Sequence, residues 1–139
     1  IVMYFESSKY FKEFENKKLE FSFGKFYLCD HFFISELNEG VHFDWGKIRL
    51  VMSKIIEFYG NDIKLGYISN RIHSYSIDPQ SWEKVDKKYN IIVASTIIYY
   101  NNFTYKNASL EKLFSKKSIK RSINLDEAIY WINNLKELH

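Results

Sequence analysis

Apolar and polar residues alternate in the first regular stretch of the chain. The alternation covers residues 19–23, Gly24 interrupts it, and two further apolar stretches follow at residues 26–29 and 32–37. A period of two residues is typical of half-buried strands, and short connections between strands favour antiparallel pairing. The pattern therefore predicts three successive antiparallel strands.

The apolar period lengthens after Gly40. Apolar residues now recur at the three- and four-residue spacings of a helix with one buried face, at Ile48, Val51, Met52, Ile55, Ile56 and Tyr59. Asp44 stands where an N-cap is expected, and Gly60 is a typical C-terminal stop. Residues 63–69 form the next predicted strand, and Gly66 within it predicts that another group packs closely against the backbone.

Helices alternate with strands in the second half of the chain. Asp78 followed by Pro79 predicts an N-cap and the first residue of a short helix. The run over residues 91–99 is too continuously apolar to have a solvated face, so it predicts a strand covered on both sides.

A third helix is predicted over residues 105–116, and its expected buried side consists of Ala108, Leu110, Leu113 and Phe114. A short edge strand follows at residues 119–123. Asn124 and Glu127 have the spacing of a reciprocal capping pair, which predicts a final helix with Ala128, Ile129, Ile132 and Leu135 on its core side.

The predicted order is βββαβαβαβα, which indicates an α/β fold with a mixed β-sheet and flanking helices. A chain of 139 residues fits one domain, and its 46% hydrophobic content supplies a core without disulfides. We expect residues 18–139 to form that domain and residues 1–17 to form an N-terminal extension, in which Tyr10, Phe11 and Phe14 make one short amphipathic turn docked on the body.

The element order, the length and the strand end Leu65-Gly-Tyr-Ile-Ser-Asn70 resemble the SpoIIAA-like (STAS-like) fold of bacterial anti-sigma factor antagonists. The resemblance implies a small regulatory or interaction module rather than a catalyst. In the antagonists, a serine at a helix start after a core strand is phosphorylated by a partner kinase. The wider fold group also includes lipid-carrying proteins with an apolar cavity.

The junction that corresponds to the phosphorylated serine runs here from Ser69 to Pro79. It reads Ser-Asn-Arg-Ile-His-Ser-Tyr-Ser-Ile-Asp-Pro, which lacks both the Asp-Ser pair and the glycine of the usual pattern. Ser74 and Ser76 are the candidate phosphorylation sites that the resemblance leaves.

This polar loop is also the main candidate for ligand or partner binding. Open α/β sheets bind ligands beyond the carboxyl ends of their strands, and the loop follows such an end. The same rim would receive the end of the third strand, which sets carboxylates opposite Arg71 and His73. The candidate binding residues are Glu36, Asn38, Glu39, Asn70, Arg71, His73, Ser74, Tyr75, Ser76 and Asp78.

Catalytic and metal-binding signatures are absent from the sequence. The four histidines are too scattered for a metal site, Cys29 is the single cysteine, and no phosphate-binding glycine loop or nucleophile elbow occurs. We therefore expect no catalytic residue, no metal and no cofactor. An enzyme that uses Glu36 or Glu39 with Arg71 and His73 is the least favoured alternative.

Charge and hydropathy bear on the kind of partner and on the cellular location. A net charge of +3 favours no polyanionic partner, and the lysine-rich residues 112–121 are interpreted as a solvated face rather than a nucleic-acid site. No signal-peptide pattern occurs, and no apolar run approaches the roughly 18 residues of a membrane span, so we expect a cytoplasmic protein. The aromatic residues near the end of the central strand, Tyr99, Tyr100, Phe103 and Tyr105, are a candidate patch for a protein partner.

The favoured interpretation is a non-enzymatic regulatory or protein-interaction module that works through the loop at residues 70–78, with an unidentified protein partner or a second copy in a homodimer. The alternative is a small-molecule or lipid-binding module with a pocket between sheet and helices. An exposed polar and aromatic surface would favour the first, and an enclosed apolar cavity would favour the second.

Overall fold

A computed structural model of the protein describes residues 1–139 as a mixed sheet with helices on both faces. The strands are β1 (Lys17–Phe21), β2 (Gly24–Leu28), β3 (Phe32–Leu37), β4 (His42–Phe43), β5 (Leu65–Asn70), β6 (Ser76–Ile77), β7 (Ile92–Ile98) and β8 (Ser118–Ser122). The helices are α1 (Tyr10–Glu13), α2 (Trp45–Tyr59), α3 (Ser81–Lys88), α4 (Asn102–Glu111) and α5 (Leu125–Asn133), with 3-10 turns at Phe5–Ser7, Lys112–Phe114 and Lys136–Leu138.

The main sheet has six strands in the order β1-β2-β3-β5-β7-β8. The first three strands pair antiparallel and the others parallel, which confirms the predicted mixed sheet and the antiparallel start. β4 and β6 form a separate two-stranded parallel sheet, which the sequence pattern did not predict.

The core consists of two layers, one on each face of the sheet. The front face, as we call it, packs against α2, α3 and α4 through a cluster of 19 buried residues. The back face packs against α5 and the N-terminal segment through a second cluster of 12. Both faces of the parallel strands are therefore covered, as their continuous apolar runs require.

Capping side chains set the helix limits. Asp44 accepts a hydrogen bond from the Lys47 backbone at 3.0 Å, and Gly60 ends α2 with a φ of 86°, so both predicted signals are confirmed. Asn124 caps α5 by accepting from the Glu127 backbone at 2.8 Å. The reverse half of the predicted capping pair is replaced by an ion pair between the Glu127 carboxylate and Lys120.

The third predicted cap lies two residues too early. The Asp78 carboxylate accepts from the Gln80 backbone at 3.0 Å and Pro79 belongs to the turn that precedes α3, which begins only at Ser81.

No helix is long and apolar enough to cross a bilayer, and the longest, α2, has 15 residues.

Of the predicted core side of the third helix, Ala108 and Phe114 are confirmed, but Leu110 and Leu113 are wrong. α4 begins at residue 102 with Asn101 as its cap and buries Thr104, Ala108 and Glu111. Leu110 and Leu113 are 49% and 78% exposed. The reason is that Glu111 occupies the buried position, where Arg71 binds it, and this rotation of the helix turns the leucines outward.

The predicted close approach at Gly66 is confirmed. A Cβ atom at this position would lie 2.5 Å from the Cδ1 atom of Ile132 on α5 and 3.2 Å from that of Leu138. Only glycine lets α5 and the following turn sit directly on β5.

The N-terminal segment covers the far end of the back face. Phe5 is fully buried in the second cluster, where its ring lies 4.9 Å from that of Tyr27. Phe11 and Phe14 pack beside it, as the predicted amphipathic turn requires, and the Phe14 ring meets Phe32 edge-on at 5.6 Å.

Candidate functional site

The carboxyl ends of β3 and β5 carry polar side chains on both faces of the sheet. Ser35 lies beside Ser69 in the parallel register, and both point to the front face. Glu36 and Asn70 come next in each strand and point to the back, because successive side chains of a strand alternate. All four side chains are buried, so adjacent residues belong to two separate networks.

The front network centres on a bidentate ion pair between Arg71 and Glu111. Each terminal guanidinium nitrogen lies 2.6 Å from a carboxylate oxygen, and the two side chains are only 4% and 2% exposed. The Trp82 indole donates to the same carboxylate at 2.8 Å, and Arg71 Nε donates to the Ser69 hydroxyl at 3.0 Å. One buried carboxylate thereby joins β5, α3 and α4.

Two tyrosines extend this network along the front face. The Tyr75 hydroxyl lies 2.9 Å from Ser69 Oγ, and the Tyr67 hydroxyl lies 2.7 Å from Ser35 Oγ. Burial raises the pKa of both tyrosines. Burial alone would lower the pKa of Arg71, but Tyr75 and Glu111 raise it above its ordinary value. At neutral pH the guanidinium is therefore charged and both phenols are neutral.

An apolar cavity lies against this network, between the front face and the helices α2 and α3. Its volume is about 50 Å³, and 12 of its 14 lining residues are hydrophobic. Met52 lines it from α2, Val85 and Trp82 from α3, and Phe33 from the sheet; Arg71 and Ser81 are the two residues of the lining that are not hydrophobic.

Every buried polar side-chain atom already has a hydrogen-bond partner within the protein. The front network consequently needs no polar group from outside. Through Arg71, Tyr67 and Tyr75 it forms part of the cavity lining, and the rest of the lining is apolar apart from Ser81.

The back network fixes the N-terminal segment. Glu36 Oε2 accepts from the Phe5 backbone and from the Asn70 amide, each at 2.8 Å. Asn70 also donates to the Met3 carbonyl at 3.0 Å and accepts from the Tyr100 hydroxyl at 2.7 Å. Burial raises the pKa of Glu36, and the two hydrogen bonds that it accepts offset part of that effect.

The exposed rim of the loop forms a third, looser group. Glu39 Oε2 lies 3.7 Å from His73 Nδ1 and accepts from the Ser74 backbone at 3.2 Å. The other nitrogen of the His73 ring lies 3.1 Å from the Tyr4 hydroxyl. These contacts are solvent-accessible and hold the loop in place. Tyr4 and His73 also line an open pocket of about 350 Å³ together with Glu36 and Asn38.

The remaining predicted loop residues have local partners. Ser76 is exposed and its hydroxyl lies 2.7 Å from His42 Nδ1, across the β4–β6 pair. Asp78 is exposed and accepts from the Gln80 backbone. Asn38, also exposed, donates to the Ser22 carbonyl at 3.2 Å.

The expected pairing of Arg71 with the rim carboxylates is therefore wrong. The structure does bring Glu39 to His73, but it places Glu36 on the opposite face of the sheet from Arg71, whose partner is Glu111. The carboxylate, histidine and arginine of the enzyme alternative do not converge. No group of three or more His, Cys, Asp and Glu side chains is close enough to hold a metal ion.

Sequence reasoning missed Glu111, which binds Arg71, and the hydrogen bond that the Trp82 indole donates to the same carboxylate. A signal for Glu111 does exist in the spacing of residues 104, 108 and 111, which share one side of a helix. The larger leucines at Leu110 and Leu113 outweighed that signal.

Comparison with solved structures supports the fold. A crystal structure of an uncharacterized protein from the DUF3478 family with a SpoIIAA-like fold, from Shewanella loihica PV-4, is similar to this chain with a TM-score of 0.51. The similarity covers 85% of this chain and 92% of that chain at 10% sequence identity. This chain has a SpoIIAA-like fold. At this identity the likeness concerns the fold alone.

Comparisons at the level of sequence find no related protein. No protein-family model matches the chain, and no curated protein matches it. The fold expected from the element order and from the Leu65–Asn70 strand end is confirmed by structure, and the function has to be argued from the site.

Proposed function

We propose that this protein is a non-catalytic binding module that holds a small apolar molecule between the front face of the sheet and the helices α2 and α3. The observation that carries the proposal is the apolar cavity bordered by the hydrogen-bonded front network. An apolar pocket with a few convergent polar groups and perturbed pKa values is the usual form of a small-molecule site. The loop that was expected to be an open surface instead contributes Arg71 and Tyr75 to this pocket.

The chemistry of the lining favours a ligand with a hydrophobic, ring-shaped or branched body. Trp82, Tyr67 and Tyr75 offer aromatic surface, and 12 of the 14 lining residues are hydrophobic. A charged ligand body would lose its hydration in such a lining.

Binding requires the cavity to expand. Its volume of about 50 Å³ is well below the roughly 150 Å³ of an apolar cavity that accepts benzene. The wall best suited to move is α3, which has eight residues and buries only Ser81 and Trp82. We expect α3 to shift outward around Trp82 when the ligand enters.

The test is a thermal-unfolding series with two apolar probes of increasing size, namely benzene and indole. A ligand that binds only the native state raises the midpoint by mass action. We expect benzene or indole to raise it in a saturable, concentration-dependent manner.

A matched pair of variants locates the binding. Val85 lines the cavity and Val93 packs on the back face, and both are half-buried. Val85→Phe should fill the cavity and abolish the shift, whereas Val93→Phe should keep it. Equal shifts in both variants, or no shift in the wild type with any probe, would show that the cavity is not a binding site.

The second candidate is a regulatory interaction at the exposed rim. Ser76 and Asp78 are exposed beside the half-exposed Ser74 and His73, so a kinase or a partner could reach them. Phosphorylation would place a doubly charged group next to His42, which already contacts the Ser76 hydroxyl. Mass spectrometry of the protein isolated from its native cells tests this role: phosphate on Ser74 or Ser76 supports it, and unmodified serines under all growth conditions speak against it.

A further inference from the structure

Large apolar side chains are exposed on the outer side of α4, whereas two of the three residues buried on its inner side are polar. The helix buries Thr104, Ala108 and Glu111 against the sheet. On the opposite side Phe103, Leu110 and, in the 3-10 turn that follows, Leu113 are 59%, 49% and 78% exposed. A surface helix normally shows the reverse arrangement, with its apolar stripe facing the core.

This orientation is fixed by the buried ion pair. Glu111 is held by both terminal nitrogens of Arg71 and by the Trp82 indole. A rotation of α4 that buried Leu110 would pull the Glu111 carboxylate away from all three donors and leave the guanidinium unpaired inside the protein. The exposure of the apolar side chains is thus built into the fold.

Lysines accompany the exposed apolar side chains. Lys106, Lys112 and Lys116 are exposed, and none of them takes part in an ion pair. The one carboxylate of the helix, Glu111, is occupied by Arg71. We call this surface the basic apolar stripe, and it consists of Phe103, Lys106, Leu110 and Leu113, with Lys112 and Lys116 beside its C-terminal end.

We propose that the basic apolar stripe docks on the surface of an anionic lipid bilayer. The apolar tips would enter the boundary between headgroups and acyl chains, while the lysine ammonium groups would contact lipid phosphates. Phe103 and Leu113 are about 15 Å apart along the helix direction, so the helix would lie parallel to the membrane plane. This inference does not depend on a ligand in the cavity.

The positive charge of the stripe favours a lipid bilayer over a second copy of the chain. A second copy docked through the same stripe would bring unpaired lysines together, which opposes association. Three separate apolar tips on the convex outer side of a helix also suit a deformable lipid surface better than a rigid partner, because rigid partners usually bind such residues in pockets.

The experiment is flotation of the full chain with vesicles. Neutral vesicles contain phosphatidylcholine alone, and anionic vesicles contain phosphatidylcholine with phosphatidylglycerol at about three parts in ten. We expect the wild type to float with the anionic vesicles and to remain unbound with the neutral ones. Raising the salt concentration should weaken the binding because it screens the lysines.

Two variants of the stripe have matched controls elsewhere on the surface. Leu110→Asp is compared with Leu50→Asp on α2, since Leu50 is 47% exposed and Leu110 is 49% exposed. The double variant Lys112→Glu/Lys116→Glu is compared with Lys12→Glu/Lys136→Glu, which changes the net charge equally with exposed lysines of α1 and the C-terminal 3-10 turn. All four variants change exposed residues, so thermal unfolding should show that they remain folded.

Each stripe variant should reduce the affinity for anionic vesicles by roughly tenfold or more, and each control should leave it within about twofold of the wild type. The proposal is overturned if the wild type binds no vesicles, which would point to an acidic protein partner instead. It is equally overturned if Leu110→Asp floats as well as Leu50→Asp, because the binding would then be a diffuse attraction between charges.

Discussion

Ile132 of α5 rests directly on the backbone of Gly66 in β5, so closely that a Cβ atom on residue 66 would lie 2.5 Å from Ile132 Cδ1. Ile132 is fully buried. The helix fits the strand because Gly66 lacks a Cβ atom at the place that the Cδ1 methyl group of Ile132 occupies.

We predict that Gly66→Ala destabilises the protein by about 1–3 kcal/mol, since the added methyl group overpacks the back-face core. Ile132→Val removes the Cδ1 atom that the new methyl group would meet. The double variant Gly66→Ala/Ile132→Val should accordingly be more stable than Gly66→Ala alone. Urea denaturation measures the three free energies of unfolding, and a double variant whose loss equals the sum of the two single losses would contradict the steric explanation.

The pair formed by Arg71 and Glu111 gives a second prediction. Removal of one partner leaves the other charge buried and unpaired, so Arg71→Ala and Glu111→Ala should each cost about 3–5 kcal/mol. Arg71→Met/Glu111→Gln removes both charges and keeps an acceptor for the Trp82 indole. This double variant should be more stable than either single variant in urea denaturation, whereas strictly additive losses would show that the two groups are not coupled.

Phe5 gives a third prediction, on the role of the N-terminal segment. Phe5 is fully buried, whereas Phe58 on α2 is 49% exposed and serves as its control. Phe5→Ala should cost about 3–5 kcal/mol because it leaves a cavity beside Tyr27. Phe58→Ala should stay within about 0.5 kcal/mol of the wild type. Equal free energies of unfolding for the two variants would mean that the segment contributes no stability.

Glu36 gives a prediction on pH. Burial raises its pKa in the folded protein above the ordinary value of 4.5, so the native state binds this proton more tightly than the unfolded chain does. The stabilising contribution of the proton is complete below the ordinary pKa and is lost as the pH rises through the native pKa. Glu36→Gln cannot titrate and should lack this loss.

The measurement is the free energy of unfolding of both proteins from pH 4 to pH 7 in steps of about half a unit. The difference between wild type and Glu36→Gln isolates this one group from the other carboxylates. We expect the wild type to lose stability relative to the variant as the pH rises. A difference that is constant across the range would show that Glu36 has the same pKa in both states.

Local signals predicted most of the fold. The antiparallel start, the N-cap at Asp44, the stop at Gly60 and the close approach at Gly66 are all properties of short stretches, and each is present in the structure, although β1 ends at Phe21 and residues 22–23 form the turn that follows it. Such features depend on the chain's own backbone and its immediate neighbours. They can therefore be recognised without knowing what packs against them.

The site was harder to predict from the sequence because its main contacts join residues that are far apart along the chain. Arg71 and Glu111 are 40 positions apart, and each looks like an ordinary surface residue in isolation. The leucines of α4 illustrate the same limit, since an apolar residue at helical spacing was assigned to the core when a buried ion pair had already taken that side. Pairing across the fold, rather than local pattern, decided which side of the helix turned inward.

The position of Met3 and Phe5 has a consequence for how the chain is made. Their partners are Glu36, Asn70 and Tyr100, and α5 closes the same core near the other end. Glu36 follows the segment closely along the chain, but Asn70, Tyr100 and α5 come much later. The core that buries Phe5 is therefore complete only once residues 125–133 have been synthesised.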